Sequence, residues 1–244
     1  LFDGWFGTHW AEGEQRILSW QSRSPVFTII GQRIPQTLTV IGTAYLVGIL
    51  IAVPIGIYSA YRQYSWFDQA GTLFAMIGFS VPTFFSGTLL IIIFAVWLGW
   101  FPTKYDTQLN VTSWATFLQQ IKQMALPVMT LGLANAAAIS RYMRSSMLDN
   151  MGMDYVRTAR AKGMTERTVV LKHVLRNSLI PVVTVIALGI PAIFGGAIIT
   201  ENLFGVNGIG AALIGAIHAN DIPMVQTLAF IFAVLIVLFN LIAD

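Results

Sequence analysis

The chain has 244 residues, 56% hydrophobic and 10% charged, with a net charge of +3 and no cysteine. About a quarter of the residues of an ordinary soluble domain are charged. This chain therefore cannot cover a water-exposed surface, and an integral membrane protein, all-α, is the expected class. Disulfides and thiolate metal sites are excluded, and so weak a net charge argues for no nucleic-acid partner.

Residues 1–32 are mixed and polar, without the charged start and apolar run of a signal peptide. They read as an extracytoplasmic segment, with the N-terminus of the chain expected further upstream. Five later segments lack Asp, Glu, Lys and Arg and are long enough to span: Ile34–Tyr61, Gln69–Thr103, Gln123–Ser140, Asn177–Thr200 and Ile222–Ala243. A hydrocarbon core of about 30 Å takes about 20 helical residues, and lipid leaves no partner for an unpaired backbone group. Residues 33–244 are thus predicted to form a five-span helical bundle. The second segment is too long for one straight span and too short for two with a turn, so one long helix kinked at Pro82 is predicted. The third extends through Arg141–Met147 if those side chains snorkel.

Eight of the fourteen basic residues fall between positions 141 and 176. Short basic loops stay cytoplasmic, which puts 141–176 and Arg62–Asp68 inside and 1–32, 104–122 and 201–221 outside. Trp66, Trp97, Trp100, Tyr105 and Trp114 near span ends suit the interface. The inner loop, about 148–172, also carries helix punctuation. Gly152 interrupts the helix leaving the membrane. Asp154 is placed to cap "YVRTARAK", and Gly163 suits a left-handed C-terminal cap. Thr165 is placed to cap a second helix running through Val169 and His173 into the next span, with Pro181 a turn inside it. Tyr155, Val156 and Ala159 are suited to seat in a partner's groove, with Arg157, Arg160 and Lys162 reaching carboxylates at its rim. A topology signal alone would not need that construction.

The stretch "YVRTARAKG" followed by "HVLRNSLIP" resembles the cytoplasmic coupling motif of permease subunits of ATP-binding-cassette importers. Arg157-Thr158-Ala159 stands where the general motif has Glu-Ala-Ala, and Gly163 falls at its glycine. The variant looks like the dipeptide, oligopeptide and nickel branch, B-type subunit. "RIPQTL" at 33–38, "GFSVPTFFSG" at 78–87, "LGWFP" at 98–102 and "ENLFGVNGIG" at 201–210 extend the resemblance over most of the chain. The resemblance implies a type I importer permease fold in a bacterial cytoplasmic (inner) membrane, with a sixth span expected before residues 1–32. It also implies a second homologous permease subunit, two ATPase subunits and an extracytoplasmic substrate-binding protein as partners. The short helix from Asp154 to Gly163 would dock in an ATPase groove. No Gly-x-x-x-x-Gly-Lys-Ser/Thr loop is present, so no cofactor is expected in this chain. ATP, Mg and hydrolysis are expected on the partner subunits, and the chain itself is expected not to be an enzyme.

The predicted spans lack the ionisable groups that ion-coupled carriers place in the membrane. Gln36, Thr37, Thr39, Thr43, Asn135 and Thr184 are their polar residues. Helix–helix hydrogen bonds are the favoured use, and lining a transport path is the alternative for Gln36, Thr39, Thr43, Asn135 and Thr184. "LANAAAIS" at 133–140 and Gly195-Gly196 offer small faces, one of which could meet the second permease. His9, His173 and His218 are too scattered for a metal site. Residues 205–221 suit a re-entrant or surface helix, or a flexible connector. The leading function is a peptide importer permease. A nickel or other small-solute importer is the near alternative, and an ion-coupled carrier or channel is the distant one. A structural subunit of a respiratory complex would need intramembrane His or acidic residues that the spans lack.

Overall fold

The computed structural model describes residues 17–195 and 197–243, with the side chains of residues 194 and 195 left aside. Among the described residues the structure is helical, with one isolated bridge between Leu18 and Pro25. Four helices are long and apolar enough to cross a membrane: Val26–Tyr61 (α1), Trp114–Met151 (α4), Glu166–Ile193 (the body of α6) and Ile222–Ala243 (α9). Two bent pairs pass the same test only together. They are Trp66–Ser80 (α2) with Thr83–Trp97 (α3), bent by 104°, and Ile198–Phe204 (α7) with Ile209–His218 (α8), bent by 92°. A short helix, Asp154–Ala161 (α5), lies between α4 and α6.

Helix boundaries differ from the predicted spans where polar residues are tolerated. α1 begins after Pro25 rather than at Ile34 and takes in Arg33, because its first turns need not be apolar. α4 is 38 residues long, about 57 Å at 1.5 Å per residue, so it projects well beyond a bilayer core. Its start lies in the expected outer loop, where Ser113 and Thr116 form a capping box. α6 starts at Glu166, through a widened π turn at Val169–Val174, and not at Asn177. The predicted kink at Pro82 is a full break: Pro82 cannot continue the helical ladder, and the residue before it, Val81, turns extended at φ −87°, ψ 123°. The segment 205–221, left open between helix and connector, contains α8.

α4 is the central post, packed along α1 and flanked by α2 and α6. Lipid supplies no hydrophobic drive between spanning helices, so close backbone approach and dispersion must do it. A Cβ on Gly48 of α1 would sit 2.9 Å from the Gly132 carbonyl oxygen of α4. Ala136 and Ala137 are buried, and Ala137 meets α2 at Gly78. The small face of "LANAAAIS" is therefore used within the chain, and its middle residues cannot also meet a second subunit. Gly196 lies outside the described residues.

Candidate coupling surface and transport path

α5 is fixed at both ends. Met153, not Asp154, occupies the N-cap; Asp154 is the first helical residue, and its side chain is almost fully exposed. At the other end the chain closes as a Schellman motif. Gly163 N–H donates to the Arg160 carbonyl (3.0 Å), Met164 N–H donates to the Ala159 carbonyl (3.4 Å), and Gly163 has φ +76°. The left-handed elbow foreseen at Gly163 is present. Thr165 precedes the next helix as foreseen, but its hydroxyl pairs with that of Thr168 rather than with a backbone N–H.

The orientation of α5 overturns part of the expected docking face. Val156 and Ala159 are 0% and 4% exposed. They pack with Met143 and Met147 of α4 and with Val169, Val170 and Val174 of α6. Helical periodicity told which residues share a face, but the chain's own valines and methionines claim that face before any partner can. The outward face carries Asp154, Tyr155, Arg157, Thr158, Arg160, Ala161 and Lys162, followed by Gly163. On it Arg157 lies 3.5 Å from Asp154, and the Tyr155 hydroxyl donates to Asn150 Oδ1 at 2.7 Å. Arg160 forks onto Glu166 at 2.7 and 3.1 Å, and this bonding raises the Arg160 pKa above its ordinary value. The pair closes the elbow across Gly163 and competes with any carboxylate of a partner. Lys162, Arg167, Lys172 and Arg176 make no ion pair among the described residues.

A second tie joins this basic end together. Asp68, 2% exposed, accepts both prongs of Arg144 at 2.6 and 2.8 Å and the Tyr64 N–H at 2.9 Å. In the sequence Asp68 marks only the end of the inner turn. Its pairing places the 62–68 turn at the same end of the bundle as the basic loop.

The opposite end is built on buried carboxylates. Glu201, 1% exposed, accepts from the Thr37 hydroxyl (2.8 Å) and the Ala211 N–H (2.9 Å), so it caps α8 from α7. Thr37 Oγ1 in turn accepts from Ile209 N–H at 2.8 Å. A Cβ on Gly208 would fall 2.1 Å from Glu201 Oε1 and 2.4 Å from Thr37 Oγ1. The two stretches "RIPQTL" and "ENLFGVNGIG" are thus halves of one buried knot. Asp221 caps α9 and accepts from the Ser19 hydroxyl and from the N–H groups of Trp20 (3.0 Å) and Met224 (3.3 Å). Burial pushes its pKa up, and these donors outweigh that and hold it below the ordinary carboxylate value. Neither acid was singled out in sequence. An acid seven residues before a Gly-x-Gly was the available signal.

The candidate path residues separate. Gln36 is tied to loops: its amide group donates to the Thr107 carbonyl (3.2 Å) and accepts from Asn207 N–H (3.1 Å). Thr184 donates weakly to the carbonyls of Ile180 and Ala243. Thr39 is exposed and Thr43 half-buried on α1. Asn135 lines a cleft of about 250 Å³ between α1, α4 and α6, beside Tyr45 and Gly189. His173 borders a basic pocket and His218 ends α8; His9 lies outside the described residues.

Residues 52–244 match the family of binding-protein-dependent transport system inner membrane components. The chain belongs to this family. The permease is 40% identical over 221 residues to an oligopeptide transport system permease protein, AppB, of Bacillus subtilis (strain 168), covering 91% of this chain and 69% of that one. It is 38% identical over 237 residues to a glutathione transport system permease protein, GsiC, of Salmonella choleraesuis (strain SC-B67), covering 97% and 73%. Among solved structures, an amino acid ABC transporter chain with histidines superposes with a TM-score of 0.64 at 14% identity, over 89% of this chain and 92% of that one, a likeness of fold. The permease is therefore a multi-pass bacterial inner-membrane protein with the all-α ABC importer fold, and a transport component.

Proposed function

We propose that the permease forms, with a second homologous permease subunit, the translocation path of an ATP-driven importer of peptides. One of two separate ATPase subunits would dock on the outward face of α5, the other on the second permease, and an extracytoplasmic binding protein would deliver substrate to the Glu201 end. One observation carries the coupling role: α5 is clamped by Val156 and Ala159 onto both α4 and α6 while its charged face stays bare. Outside the bilayer, burying such a side chain stabilises by about 1.5–3 kcal/mol. A push on α5 would therefore move the two helices rather than peel it off. ATP and Mg would be held by the ATPases. Peptide as substrate is supported by the names of the oligopeptide and glutathione relatives; nickel or another small solute is the competing cargo.

The test is reconstitution of the permease with its ATPases in vesicles. Ala161→Trp, on the exposed face, is expected to lower ATPase association and ATP-driven peptide uptake while membrane insertion stays normal. Unchanged association and uptake would remove α5 as the dock. Single cysteines in this cysteine-free chain report sidedness: labelling of Lys162→Cys by an impermeant thiol reagent from outside intact cells would overturn the proposed orientation.

A further inference from the structure

At the joint between α5 and α6 is a pocket of about 480 Å³ lined by Tyr155, Lys172, His173, Arg176, Asn177 and Ile180. It lies apart from the Asp68–Arg144 pair and from the docking face of α5, sharing only Tyr155 with that face. Its charge is of one sign. Lys172 and Arg176, one helical turn apart on α6, have no anionic partner among the described residues, and their side chains are exposed. His173 Nε2 is buried there without a hydrogen-bond partner. A buried nitrogen left unpaired costs about 1–3 kcal/mol, so a partner that reaches it, water or ligand, stabilises the site. The pocket also has a second wall. Continuing along the same stripe of α6, Ile180 and Val183 are 67% and 57% exposed. Two cations and an unpartnered nitrogen at one end, with bare apolar side chains in line beyond, match a molecule with a phosphate head and a hydrocarbon tail.

We propose that this pocket binds the phosphate headgroup of an anionic phospholipid, with an acyl chain lying along Ile180 and Val183. Lys172 and Arg176 neutralise the phosphate, the Asn177 amide offers a further polar contact, and His173 Nε2 offers another once its ring turns toward the pocket. A soluble ATPase could answer the cations with carboxylates but could not cover Val183, which lies past Pro181 in the apolar span. The lipid would wedge at the root of α5, where the clamp onto α6 begins.

Native mass spectrometry of the full transporter complex, extracted into mild detergent and titrated with phosphatidylglycerol, cardiolipin or phosphatidylcholine, reads the binding without requiring transport. Anionic lipid is expected to be retained preferentially. The Lys172→Gln/Arg176→Gln variant is expected to bind it roughly thirtyfold more weakly, about fivefold for each basic side chain lost. His173→Phe, which keeps the charge pair, should weaken retention by a smaller factor. Inorganic phosphate at tens of millimolar should not displace the lipid; displacement would identify a free phosphate site instead. Equal retention of anionic lipid by the double variant overturns the proposal. So does loss of bound ATPase subunits from that variant with lipid retention unchanged, which would make the surface a protein contact. Because retention is read without uptake, a failure here leaves the importer reading standing, and a failed uptake assay leaves this site standing.

Discussion

The two ends of the bundle handle charge in opposite ways. At the basic end, most charge stays in water: Arg157–Asp154 and Arg160–Glu166 are exposed pairs, and Arg62, Arg141, Lys162, Arg167, Lys172 and Arg176 make no ion pair among the described residues. Exposed pairs contribute about 0–1 kcal/mol each, so this end owes its shape to Val156, Ala159, Met143 and Val174 beneath the charges. At the Glu201 end, few charges are present, but Glu201 and Asp221 are buried and satisfied by hydroxyls and backbone N–H groups. There the two carboxylates tie short helices and loops together beside apolar clusters that include Phe204, Val206, Ile209 and Met224. A surface meant for a partner can leave its cations free, whereas Glu201 and Asp221 are spent internally.

The comparison has one exception, and breaking it should give the largest effect. Asp68–Arg144 is a buried-type pair at the basic end. Arg144→Ala leaves a carboxylate 2% exposed without its partner, and removing one member of such a pair costs about 3–5 kcal/mol. Thermal unfolding of the purified permease should show a marked drop, largely recovered by adding Asp68→Asn. An unchanged midpoint would mean that the 62–68 turn carries no weight.

At the other end, Gly208→Val should be the most damaging, since even a Cβ overlaps Glu201 and Thr37. Overpacking of this kind costs about 1–3 kcal/mol. Protease accessibility of the α7–α8 turn should rise while α5 stays protected. Gly208→Val without increased cleavage would show that the knot can shift freely.

Asp221 gives an effect of similar size that depends on pH. Its folded pKa is held down, so its contribution is fully present above the pKa of the unfolded chain and is lost as pH falls through the lower folded value. The wild type should lose stability on acidification. Asp221→Asn should start lower at neutral pH, by about 1.5–3 kcal/mol for hydrogen bonds to a charged group, and change less with acid. Parallel pH profiles for the two proteins would refute the assignment.

Two substitutions at the basic elbow should be mild in stability. Gly163→Ala meets no atom within 4 Å, and its cost is the left-handed backbone alone, about 1–2 kcal/mol; Gly163→Asn, which tolerates that region, should cost less. If the alanine and asparagine variants melt alike, positive φ is not what the elbow requires. Arg160→Lys loses the fork onto Glu166 and should change stability by less than about 1 kcal/mol. A larger loss would show that this exposed pair, unlike its neighbour Arg157–Asp154, holds the elbow shut.

Much of this was legible in the linear chain. Apolar length alone located α1, α6 and α9, and turn chemistry located α5 and the left-handed Gly163. Those signals are local: a span needs its own hydrocarbon length, and a C-cap needs its own glycine. What lay beyond the sequence was every choice that depends on a distant segment. Which face of α5 turns inward was decided by Met143, Met147, Val169 and Val174, so Val156 and Ala159 became core rather than contact. Gln36, polar within an apolar run, became a loop anchor because Thr107 and Asn207 came to it. Pro82 became a break of 104° rather than a kink; a proline licenses either, and packing of the two arms selects one. Glu201 and Asp221 bound the outer stretch 201–221 in the sequence, and only the folded chain brings Thr37 and Ser19 to them. The sequence by itself determined a membrane helical bundle with a charged, glycine-hinged helix on one side, because hydropathy and backbone preference act within a few residues. Tertiary structure decided which charges are buried and which face is free, because burial and hydrogen-bond partners are set between residues such as 37 and 201 that meet only on folding.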